Sequence, residues 1–152
     1  MTDRAFIDTN VWVYAVDAAD PAKRTKALEV LAARPDKDYV ISVQVIGEFY
    51  STVTGKLKDA VSAADGRAMV ERMKQLPVVP LDISLVTDAI IGSEEWSISY
   101  WDALIVVAAR SAGCRVVLSD DLSHGQSYGS VRVEDPFRVE ATSPGESEIS
   151  RG

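Results

Sequence analysis

Short apolar runs alternate with longer amphipathic ones along most of this chain, and that alternation constrains the fold more than any other feature. Residues 5–7, 39–41, 77–81, 115–118 and 130–133 each read as a short buried strand. Residues 11–16, 22–33, 43–54, 62–76 and 84–95, and the apolar run 103–109, read as helices. The punctuation supports these limits. Asp20 and Pro21 open one helix as cap and first-turn proline, and Gly55 and Gly113 close two others. Pro77 and Pro80 bracket the third strand, which suits an edge position. Strands that alternate with helices predict an α/β fold: a central parallel sheet with helices on both faces.

The chain has 152 residues, which suits one domain with a sizeable core. From Glu140 onward it is polar and without periodicity, so the division expected is a domain over 1–139 and a disordered tail over 140–152. Cys114 is the only cysteine and His124 the only histidine. An internal disulfide and a histidine-rich zinc site are thereby excluded, and no Gly-x-Ser-x-Gly elbow is present for serine chemistry. No secretory signal and no apolar run of membrane-spanning length is visible, so the expected location is the cytoplasm. The net charge of −7 repels nucleic acid overall. Any action on RNA or DNA then needs a bound cation or a basic stripe. Lys23, Arg24 and Lys26 on the second helix read first as a solvated face.

Four acidic positions stand out by their surroundings. Asp8 is the only charge between Arg4 and Asp17 and ends the first strand. Glu48 is the only charge between Asp38 and Lys56, inside an apolar helix, and Asp102 is the only one between Glu95 and Arg110. Asp120 and Asp121 follow the fourth strand. Each has a plain alternative. Asp8 can cap a helix, Glu48 can lie on an exposed edge, Asp102 can belong to a capping box with Ser99, and the aspartate pair can shape a turn. In a parallel α/β sheet, however, these places lie toward one rim, where ligands bind beyond the strand ends. Clustered carboxylates resist ionisation together, and a divalent cation relieves that. Oxygen-only donors select Mg²⁺ or Mn²⁺, and such a site suits phosphodiester hydrolysis.

The residues that support this chemistry also resemble a family. Phe6-Ile7-Asp8-Thr9-Asn10-Val11, Glu48, Trp101-Asp102-Ala103-Leu104-Ile105, and Leu118 to Gly125 are similar to PIN-domain ribonucleases, specifically to VapC-type toxins of toxin–antitoxin modules. The resemblance covers residues 4–138. It implies a three-layer α/β/α sandwich with sheet order 3-2-1-4-5. It also implies an Mg²⁺- or Mn²⁺-dependent endoribonuclease, a cognate antitoxin, and a homodimer. Asp8, Glu48 and Asp102 match the acidic positions. For the fourth, the family's Thr-x-Asp aligns Ser119 with the threonine and Asp121 with the acid, with Asp120 as the neighbouring alternative; serine here is a departure.

Two other readings stand beside it. A phosphatase or phosphoacceptor domain would use Asp8 as nucleophile, but Asn10 occupies the usual place of its second acid and residues 118–129 contain no lysine. An interaction module would offer its acidic rim to a basic partner. For an antitoxin, the aromatics Trp12, Tyr50 and Trp96 are expected to be exposed along a groove near the site.

Overall fold

The computed structural model describes residues 3–138. The expected tail over 140–152 lies outside the described residues. The element order is β1 (Ala5–Ile7), α1 (Thr9–Val16), α2 (Pro21–Ala32), β2 (Tyr39–Ser42), α3 (Val43–Thr54), α4 (Ala63–Met73), β3 (Val78–Val79), α5 (Ile83–Trp96), α6 (Tyr100–Ser111), β4 (Val116–Leu118), β5 (Ser127–Tyr128) and β6 (Val131–Glu134).

The strands form one sheet in the order β3-β2-β1-β4-β6-β5. All neighbours run parallel except β5 against β6. The five expected strands keep their expected order; β6 is the fifth of them. The difference is β5, a two-residue strand in the stretch between Gly125 and Gly129, which pairs with β6 as a hairpin at the outer edge. Two residues leave no alternation to read, so the sequence shows this segment only as a connection.

Every residue of β1 and β2 is buried, so both faces of the sheet are covered. On one face α6 packs on β2, β4 and β6, with α5 against it. Its residues Ala103 to Ala109 are all buried, as the unbroken apolar run requires. A second helical group covers the sheet from the other side: α1 packs on α2 and α3, and α3 on α4. The layers are therefore helix, sheet, helix. Phe6, Ile7, Trp12, Ile41, Phe49 and Leu104 are among the largest fully buried side chains. The aliphatic and phenylalanine side chains among them each contribute roughly 1.5–3 kcal/mol by burial.

Local chemistry sets the helix limits. Asp20, Ser42, Ser62, Asp82 and Ser99 each accept a hydrogen bond from a backbone N–H in the first turn of the helix they precede. Beyond α6, Gly113 takes a φ of 75°, the left-handed backbone that glycine adopts without steric cost. Among the described residues no helix is long and apolar enough to cross a membrane.

One surface expectation fails. Trp12 is not exposed; it is fully buried, because α1 lies between α2 and α3 and turns the indole inward. Trp96 is half-buried against Tyr128, with ring centroids 5.8 Å apart. Tyr50 is exposed, and so is Trp101, beside Asp102.

Candidate active site

Sheet register builds the centre of the site. Ile7 of β1 pairs with Leu118 of β4, so the next residues, Asp8 and Ser119, arrive side by side. The Asp8 N–H donates to the Leu118 carbonyl at 3.0 Å, extending the ladder by one bond. Asp8 is also the N-cap of α1, and its Oδ1 accepts the Thr9 N–H at 2.7 Å. Capping and site membership thus coexist in one side chain.

Ser119 and Asn10 complete a buried polar knot. The Ser119 hydroxyl lies 2.8 Å from Asp8 Oδ2, and its oxygen is approached by the N–H groups of Asp121 at 3.1 Å and Leu122 at 3.3 Å. A hydroxyl has one hydrogen and two lone pairs, so those contacts fill it. The Asn10 amide nitrogen lies 3.4 Å from Asp8 Oδ2 and 3.2 Å from Asp121 Oδ2, and its two hydrogens can serve both. The Asn10 carbonyl oxygen accepts the Asp120 N–H at 3.1 Å. The β1 end and the loop after β4 are therefore stitched together by two neutral side chains.

Helices bring the other acids. Glu48 on α3 is exposed, as the edge alternative allowed, yet both its oxygens are engaged. Oε2 accepts from the Thr9 hydroxyl at 3.1 Å and Oε1 from the Gln44 amide at 2.6 Å. Gln44 also donates to the Trp101 carbonyl at 3.2 Å, tying α3 to the start of α6. Asp102 sits there, half-buried. Its backbone N–H donates to the Ser99 hydroxyl at 3.1 Å, so half of the capping box forms. Its carboxylate makes no hydrogen bond among the described residues.

The two adjacent aspartates diverge. Asp120 turns to Lys23, with Oδ2 3.4 Å from Nζ. Asp121 turns to Asn10 and lines a cleft of about 360 Å³ with Thr9, Asn10, Tyr14, Glu48 and Lys56. Asp8 lies behind Thr9 and Asn10 rather than in the lining, and Asp102 also stands outside it.

The acids nevertheless feel one another. Burial pushes the Asp8 carboxyl up to about 7, and the charges of Asp121 and Glu48 add to it, against the lowering effect of the Ser119 and Thr9 hydrogen bonds. Asp121 is also raised, by partial desolvation first, then by the charges of Asp120 and Asp102. Among the described residues no three of these side chains are gathered tightly enough to hold a metal ion as they stand. In chemistry the set fits a hard cation: its donors are oxygens alone, and it is short of positive charge. Sequence reasoning named all five acids and Ser119. It missed the roles of Asn10, Thr9 and Gln44, whose polarity beside lone acids was the available signal.

Known proteins resemble the chain in both sequence pattern and fold. A family model described as PIN domain matches residues 5–125. No curated protein matches the chain. A toxin–antitoxin complex from Klebsiella pneumoniae is similar in structure, with a TM-score of 0.67, 14% identity, and 89% of this chain and 99% of that one covered. The Mycobacterium tuberculosis toxin VapC20, which cleaves the sarcin–ricin loop, gives a TM-score of 0.59 at 22% identity over 74% of this chain and 86% of the other. DNA-bound VapBC from Salmonella typhimurium gives 0.59 at 20% identity, over 88% and 98%. At these identities the likeness is one of fold.

Proposed function

The chain belongs to the PIN-domain family, and from that premise we propose that it is an Mg²⁺- or Mn²⁺-dependent endoribonuclease acting as the toxin of a toxin–antitoxin pair. The observation that carries this reading is the convergence of Asp8 and Asp121 on Asn10 and Ser119, with Glu48 tied to the same helix start through Thr9. Asp8, Glu48, Asp102 and Asp121 would hold the cation. Asp120 is turned to Lys23 and is the weaker candidate of the loop pair. When bound, a divalent cation lowers the pKa of a water ligand and offsets charge on phosphoryl oxygens.

The protein's own groups prepare that chemistry. Ser119 and the Thr9 N–H keep the Asp8 oxygens oriented, and Thr9 and Gln44 each donate to one oxygen of Glu48. Lys56 in the cleft wall offers a positive charge to a substrate phosphate. A phosphoacceptor role for Asp8 is disfavoured, since it is buried and its Oδ2 is taken up by Ser119 and Asn10.

Structural neighbours that are toxin–antitoxin complexes, two of them VapBC bound to DNA, support a cognate antitoxin as partner and a cytoplasmic setting. A homodimer is proposed with them. The test is purified protein incubated with total RNA in Mg²⁺, Mn²⁺ or EDTA, with Asp8→Asn as the control for contaminating nuclease. Cleavage is expected only with metal and only in the wild type. Full cleavage in EDTA, with metal shown absent, refutes the metal dependence. Absence of any inhibiting partner encoded beside it refutes the toxin role.

A further inference from the structure

The acidic chain has to draw a polyanion to its cleft, and α2 shows where the needed positive surface lies. Its three cations do not act as one solvated face. Arg24 turns away, its Nε 3.4 Å from the Ala15 carbonyl. Lys23 and Lys26 instead line a second pocket of about 310 Å³ with Ala22, Pro136, Phe137 and Arg138. That volume is within the range of small-ligand sites. No carboxylate among the described residues pairs with Lys26 or Arg138. Asp120 pairs with Lys23, and Asp135 accepts the Phe137 N–H at 2.8 Å.

This pocket adjoins the carboxylate cleft through aromatic rings. Tyr14 lines the cleft, and its ring meets that of Phe137 edge-on, with centroids 4.8 Å apart and planes at 67°. Lys23 locks the pair. Its Nζ donates to the Tyr14 hydroxyl at 3.0 Å and lies 4.4 Å from the Tyr14 centroid and 5.7 Å from that of Phe137. An aromatic ring and unpaired cations in one lining suit single-stranded nucleic acid, the ring for a base and the charges for the backbone.

We propose that this pocket is a nucleotide subsite for single-stranded RNA. One base packs on Phe137, and the adjoining phosphate lies between Lys26 and Arg138. The strand then passes Tyr14 into the cleft. The inference rests on the ribonuclease reading and adds to it the chemistry of substrate capture. It also assigns a role to cations that their spacing in the sequence left without one.

The experiment uses the full chain carrying Asp8→Asn, so that RNA is bound without being cut, and a fluorescent ten-nucleotide single-stranded RNA. Affinity is measured by anisotropy across a salt series. Lys26→Ala with Arg138→Ala is expected to weaken binding at least about tenfold at low salt. It should also flatten the log–log salt slope by about 0.7, the value for one single-strand phosphate that is no longer neutralised. Phe137→Leu is expected to weaken binding without changing that slope. Lys37→Ala with Lys74→Ala removes the same charge from the opposite rim and is expected to leave the slope near that of the parent. Equal affinity and slope in the folded Lys26/Arg138 variant overturn the subsite while wild-type cleavage leaves the ribonuclease reading standing. Wild-type protein that neither binds nor cleaves RNA overturns both. Unchanged RNA binding together with impaired binding of an acidic peptide assigns the pocket to a protein partner and overturns the subsite.

Discussion

Asp8 and Glu48 share one acidic cluster, yet they are held in opposite ways. Asp8 hangs from the end of a central strand, 6% exposed, and its oxygens meet Thr9, Asn10 and Ser119. Its place follows from backbone pairing of β1 with β4, so it cannot shift without breaking the sheet. Glu48 projects from a helix surface, exposed, tethered by two side chains that can rotate. Asp102 is looser still, with only its backbone engaged. The strand-borne half of the site is preset and the helix-borne half is adjustable. Four like charges then need not be crowded permanently, and the adjustable acids can close on a cation or a substrate when one arrives.

The sharpest break in that contrast is Asp8→Asn. RNA cleavage is expected to fall beyond the roughly 100-fold that loss of an outer-shell partner costs. Stability in EDTA moves the other way. The folded Asp8 carboxyl titrates at about 7 rather than at the ordinary value of 3.8, so the native state holds its proton longer than the unfolded chain. Its ionisation penalty is absent below the unfolded value and grows until pH passes the folded one. Asp8 alone is therefore expected to make metal-free wild type less stable at pH 8 than at pH 4, a contribution of up to about 4 kcal/mol. The asparagine variant should lose most of that slope. Melting curves across that range check it; a slope that survives the substitution assigns the pH dependence elsewhere.

Asp102→Asn tests the adjustable half. The Ser99 cap uses the Asp102 backbone N–H, which the substitution leaves in place. Stability is expected to stay within about 0.5 kcal/mol of wild type, as for a surface change. Cleavage should fall at least tenfold, in the range of metal-site losses, and Mn²⁺ affinity with it. A variant that cuts RNA at the wild-type rate with unchanged Mn²⁺ affinity returns Asp102 to a capping role alone.

Gln44→Ala sharpens the comparison further. Gln44 joins Glu48 to the Trp101 carbonyl, so its loss frees both helix-borne acids at once. A cost of about 1 kcal/mol in stability is expected from the hydrogen bonds, with roughly tenfold lower cleavage from poorer orientation. Thermal melts and initial rates separate the two effects. An activity loss no larger than the stability loss explains would reduce Gln44 to a structural tie.

The same division governs what the sequence discloses. Strand-borne Asp8 is legible because a lone charge ending an apolar run stands out, and the parallel sheet follows once helices alternate with strands, whereas the strand order is implied only by the family resemblance. The helix caps are legible because Ser and Asp before apolar periodicity have a local cause. What stays hidden depends on distant partners. Trp12 reads as a surface aromatic until α2 and α3 close over it. Asn10 reads only as part of the family-like run after Asp8, without partners, until the β1–β4 register brings it to Ser119 and Asp121. Lys23 reads as solvated until Tyr14 on the neighbouring helix and Asp120, across a long sequence gap, come within reach.

The smallest expected effect is that of Asp120→Asn, which only a tertiary contact distinguishes from its neighbour Asp121. Asp120 shares one oxygen with Lys23 at 3.4 Å, where the Lys23 and Asp120 side chains are 38% and 12% exposed. Such half-exposed pairs contribute no more than about 1 kcal/mol, because solvent screens the charges. In Asp120→Asn an amide oxygen still accepts from Lys23, and the backbone N–H still serves Asn10. The variant should therefore melt close to wild type and cleave RNA at close to the wild-type rate. Asp121→Asn removes the carboxylate that meets the Asn10 amide on the cleft wall. It should lose at least tenfold in cleavage, as metal-site partners do, and should gain slightly in metal-free stability, since its ionised form is disfavoured first by burial and then by the charges of Asp120 and Asp102. Assayed side by side, the pair decides which aspartate completes the cluster. If Asp120→Asn is the inactive one, Lys23 is holding the fourth acid in place rather than holding a neighbour aside, and the roles assigned to the two residues are exchanged.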